Sequence, residues 1–66
     1  MKTFKYRIVV GWSDDDDTYV ARVPALEGCV AHGDSEAEAS REARSAAELM
    51  LSVLREHGDR IPPEDA

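Results

Sequence analysis

From Phe4 to Trp12 the even positions Phe4, Tyr6, Ile8, Val10 and Trp12 are apolar, with Lys5 and Arg7 between them. A period of two places alternate side chains on opposite sides of an extended chain, so this stretch predicts a strand with one buried face. Val9 and Gly11 soften the alternation toward its end. Ser13 and the run Asp14-Asp15-Asp16-Asp17 then interrupt it with residues that favour turns. Thr18 to Val23 resumes a β-rich pattern, Val20 alternating against Ala21 and Arg22, and the two strands read as a hairpin. Pro24 lacks an amide donor and ends the second strand or confines it to an edge. Leu26-Glu27-Gly28 makes a tight connection in which Gly28 is free to take a positive φ. Cys29-Val30-Ala31-His32 predicts a short third strand stopped at Gly33.

The period changes to that of a helix after Asp34. Ser35 with Glu38 three positions on is a capping box, and Asp34 adds negative charge at the same helix end. Ala39, Ala43, Ala46, Ala47, Met50, Val53 and Leu54 fall on one stripe, while Glu38, Arg41, Glu42, Glu48, Arg55 and Glu56 take the opposite side. The stripe opens with alanines, which lets the first half of the helix lie close to a sheet, and Gly58 supplies the stop. The expected fold is α+β: a small antiparallel β-β-β sheet packed on one amphipathic helix. Residues 1–60 form the domain, and residues 61–66 form a short Pro-rich acidic tail.

Size sharpens this picture. A chain of 66 residues makes one domain and buries only about 60% of the surface its unfolded form exposes. Domains this small commonly gain stability by association, so a homo-oligomer, dimer or tetramer, is expected. Fourteen acidic residues against eight Lys and Arg leave a net charge of −6, which disfavours the phosphate backbone and favours a basic protein partner. The sign is not uniform, since Lys2, Lys5 and Arg7 gather at the start. One cysteine, Cys29, excludes an internal disulfide and points to the reducing cytoplasm. No secretory h-region and no membrane-length apolar run is present in the sequence.

Candidate chemistry is sparse. Asp14–Asp17 offers hard oxygen ligands, but consecutive residues on a turn do not converge on one ion; a solvated turn that greets a basic partner fits better. His32 and His57 lack a Cys or His at zinc-ligand spacing, and His57 reads as an end-of-helix cap. Cys29 reads as a small packed residue and not as a nucleophile. The strands carry Lys5, Arg7 and Arg22 but no acid, which argues against a metal-dependent nuclease. Neither catalytic residues nor a cofactor site is expected. Aromatic residues and arginine dominate interface hot spots, so Trp12, Tyr19 and Arg22 are the interface candidates on the hairpin. Leu49, off the helical stripe, is a further one.

Tyr19-Val20-Ala21-Arg22-Val23-Pro24-Ala25-Leu26-Glu27-Gly28-Cys29, continuing to His32-Gly33-Asp34-Ser35-Glu36-Ala37-Glu38-Ala39, resembles the HicB-like antitoxin family. That family's pattern runs Y-x-a-x-x-P-x-L-x-G-C, then G-D-S/T-x-x-E-A, and Gly58-Asp59-Arg60-Ile61-Pro62 is similar to its G-x-x-I-P. The likeness spans about residues 4–63, and its strength lies in the ordered spacing, not in any one motif. Pro24, Gly28, Gly33, Ser35, Glu38 and Gly58 are read as structural positions of this pattern.

The resemblance implies a partial ribonuclease-H-like fold without catalysis. It also implies a partner: a HicA-like toxin, a small basic ribonuclease that degrades mRNA and is neutralised by occlusion. Many members carry a C-terminal DNA-binding domain, whereas this sequence ends at Ala66 without the usual following strand, so direct DNA binding is not expected. A polyaspartate turn replaces the family's Asp-Gly type, and Glu27 stands where Pro is frequent. The competing reading is a self-associating sheet module with another protein target, its missing last strand leaving an edge for β-augmentation. A divergent metal-dependent nuclease is the third.

Overall fold

A computed structural model describes residues 4–64. Lys2 of the basic start and the last two residues of the acidic tail lie outside them. Val9–Ser13 (β1) and Thr18–Arg22 (β2) pair antiparallel, with Val10 opposite Ala21 and Trp12 opposite Tyr19. Val30–Gly33 (β3) pairs antiparallel with the other side of β2, so the strand order is β1-β2-β3. The helix Glu36–Glu56 (α1) returns across one face, and the fold is an α+β sheet-and-helix sandwich.

Small residues set the distance between the two layers. Ala21 on β2 and Ala39, Ala43 and Ala47 on α1 are wholly excluded from solvent. Facing alanines allow a helix to approach a sheet closely, where dispersion contacts are densest. Gly33 marks the closest approach, because a methyl group there would overlap the backbone of Glu38 and Ala39. The larger core residues Val23, Leu26 and Cys29 fill the loop between β2 and β3. That loop folds on itself through Leu26 N–H to Val23 O (3.0 Å), Cys29 N–H to Leu26 O (3.0 Å) and Val23 N–H to Cys29 O (3.1 Å).

Both ends of α1 are closed by local chemistry. The Ser35 hydroxyl accepts from the Glu38 amide at 3.1 Å and satisfies an amide that has no partner within the helix. At the other end Gly58, at φ 69°, lets Asp59 N–H reach Leu54 O (2.8 Å) and Gly58 N–H reach Arg55 O (3.2 Å). That double bond pattern is a Schellman stop.

Two strand boundaries and the buried stripe of the helix differ from the periodic reading. The first strand begins at Val9 and not at Phe4. Phe4, Tyr6 and Ile8 stay half buried in alternation, but β2 bends away after Arg22 into the Val23–Cys29 loop, so the ladder has no strand to continue on. The third strand is shifted by one, to Val30–Gly33, because Cys29 is engaged in that loop. The helical stripe is rotated as well: Leu51 is buried (5% exposed) and Val53 is exposed. Ala39, Ala43, Ala47 and Leu51 follow steps of four, which drift about 40° per step around a helix. The drift carries Leu51 toward Phe4, Tyr6 and Ile61, which pack on the last turns of α1. The Tyr6 hydroxyl donates to Pro62 O at 2.6 Å and joins the two ends of the chain.

Candidate interaction surface

The hairpin turn is held by its own side chains. The Ser13 hydroxyl accepts from the Asp16 amide (3.3 Å) and lies 3.1 Å from the Asp16 carboxylate, to which it donates. Asp17 takes φ 53°, a left-handed conformation that short polar side chains tolerate better than most. All four aspartates are exposed. The Trp12 indole N–H donates to Asp14 Oδ1 at 2.9 Å, and its ring meets Tyr19 edge-on, centroids 5.1 Å apart.

Trp12 and Tyr19 therefore form one aromatic pair beside the carboxylates. Trp12 shares its face with Val10, as alternation requires, yet it is 53% exposed. The cause is position: α1 packs mainly over β2 and β3, and β1 lies at the far edge of the sheet. Arg22 is not brought to this pair. It lies on the opposite face of the sheet, since its neighbour Ala21 is the residue buried against α1. Leu49 stands alone from the hairpin, 69% exposed on α1, with Val53 one turn further on. Alternation from Phe4 places Val9 on the sheet face away from the helix, and it is 47% exposed there; Val30, equally exposed, was passed over as a surface feature. Each is opposite Arg22 in register, and so lies on the face away from Ala21.

Among the described residues the remaining polar groups form no metal-ligating cluster. His32 Nε2 lies 3.8 Å from Asp16 Oδ2, with both side chains more than half exposed, a geometry of small energetic weight. His57 is the exposed C-cap residue of α1. Cys29 is buried, its sulfur 3.7 Å from Ala43 O, and burial pushes its thiol pKa up. A raised thiol pKa opposes the thiolate form that nucleophilic cysteines use. Among the described residues no group of three His, Cys, Asp or Glu side chains is placed to hold a metal ion. No helix among them is long and apolar enough to cross a membrane.

A thin three-stranded sheet and one helix make a small α+β module, with an exposed Trp12 against a partly buried Tyr19 beside the acidic turn. The chain belongs to the HicB-like antitoxins of bacterial toxin–antitoxin systems, whose sequence model matches residues 6–66. It is 34% identical over 62 residues to a protein of Thermoplasma acidophilum named UPF0150 protein Ta0767, covering 94% of this chain and 88% of that one. No solved structure matches it.

Proposed function

We propose that this protein is a non-enzymatic, cytoplasmic antitoxin that neutralises a small basic, mRNA-degrading toxin of the HicA kind by occluding it. Membership of the HicB-like antitoxin family supports a toxin as the partner in general. The net charge of −6 supports a basic one. The β-β-β-α order is read as the partial ribonuclease-H-like core of such antitoxins, with its surface and not its interior adapted to function.

One observation carries the assignment of a contact point. Trp12 is half exposed, stiffened by Tyr19 and tethered to Asp14, so a large aromatic is presented beside negative charge at low entropic cost. A cationic partner surface gains from both the ring face and the carboxylates. Co-expression with a HicA-like toxin tests the reading. A stable complex and relief of growth arrest are expected, with Trp12→Ala weakening the complex by about thirtyfold, roughly 2 kcal/mol. Failure of the wild-type chain to bind or protect would sink the antitoxin assignment. Full protection by Trp12→Ala would remove only the hairpin from it.

A further inference from the structure

The face of the sheet turned away from α1 is uncovered and has a charge order of its own. Register places Val9, Arg22 and Val30 in one row across the three strands, and Gly11, Val20 and His32 in the next. Ser13 and Thr18 form a third row leading into the acidic turn, where Asp16 reaches toward His32. The face thus runs from a cation at one end, through valines, to carboxylate at the other. Its middle is hollow, because Gly11 carries no side chain and open space lies where a Cβ would stand.

We propose that a second copy of this chain docks here, sheet against sheet, about a two-fold axis lying in the interface and crossing the strands near the Gly11–Val20 row. Such an axis reverses strand direction between copies. It lays Arg22 of each copy over the Asp16 end of the other, and both contacts form at once because the patch is self-complementary. The strand from Thr18 to Arg22 spans about 13 Å, and packed sheets stand about 10 Å apart, within the joint reach of arginine and aspartate across the gap. On the axis Val20 of one copy meets the partner's Val20, beside the open space at the two Gly11 positions. Arg22 in the row between Val9 and Val30 makes the face a poor seat for a basic toxin, whereas a second copy brings its own carboxylate. A face three strands wide lies at the low end of specific interfaces, so a dimer of micromolar affinity is expected. This assignment is independent of the toxin reading.

Sedimentation of the full chain from low to several hundred micromolar tests it, with circular dichroism confirming that each variant is folded. A concentration-dependent dimer is expected. Arg22→Asp and Asp16→Arg should each weaken it by about tenfold, and the double variant should restore it to within about threefold. Val20→Lys should abolish the dimer, and Leu49→Lys should leave it unchanged. A wild-type monomer throughout the range, or a double swap without rescue, would overturn the proposal. So would a dimer broken by Leu49→Lys and not by Val20→Lys, which would move the interface to the helix. If the chain stays monomeric and Val20→Lys instead abolishes the toxin complex, the face belongs to the toxin and the proposal fails.

Discussion

Cys29 shows how one side chain's environment decides its chemistry. Its sulfur is buried between the β2–β3 loop and the helix backbone, and desolvation of the thiolate raises its pKa. Alkylation by iodoacetamide at neutral pH should therefore run at least about a hundredfold slower in the native protein than in denaturant. Equal rates would show that the site opens readily. The sign of the pH effect follows from the same shift. The unfolded thiol ionises first, near about 8.5, so this contribution to stability is complete below that pH and is lost as pH rises toward the higher folded value. The small-packed-residue reading of Cys29 rested on its being a lone cysteine in a β-turn-β segment; the helix backbone at Ala43 that covers its sulfur comes from elsewhere in the chain. Trp12 makes the complementary point. Alternation correctly put it on the face of Val10, but its exposure depends on where α1 crosses the sheet.

Between elements, the contact of β3 with α1 is set by glycine and alanine. Gly33→Ala forces a methyl into the backbone at Glu38–Ala39, and backbone cannot rotate away as a side chain can. The strand and helix must separate, and a cost of about 2–3 kcal/mol is expected in urea unfolding. A loss below about 0.5 kcal/mol would mean that the helix start yields easily. The alanine-first stripe already announced this close approach in the sequence. What it mistook was the second half of the helix, where Leu51 and not Val53 is inside. Steps of four drift around the helix, and Phe4, Tyr6 and Ile61 packing against the core decide that the drifting row stays buried to Leu51. The same limit applies to the first strand. Its alternation survives from Phe4, but a strand exists only where a neighbouring strand offers hydrogen bonds.

For the molecule as a whole, a net charge of −6 acts through steering. Association with a basic toxin should slow by about tenfold or more between about 0.05 and 0.5 M salt, with little change in dissociation rate. A salt-insensitive on-rate in stopped-flow mixing would show that charge does not guide the encounter. Local order settled much of this protein from sequence alone: the element order, the turn at Asp14–Asp17, the cap at Ser35 and the α+β class. These depend on residues within a few positions of one another, whose backbone preferences and hydrogen bonds are local. Tertiary structure decided the rest: the start of β1 at Val9, the burial of Leu51, the exposure of Trp12, and the placing of Arg22 on the uncovered face with Val9 and Val30. Each of these turns on which distant segment occupies the space beside a residue, and no pattern of neighbours along the chain encodes that.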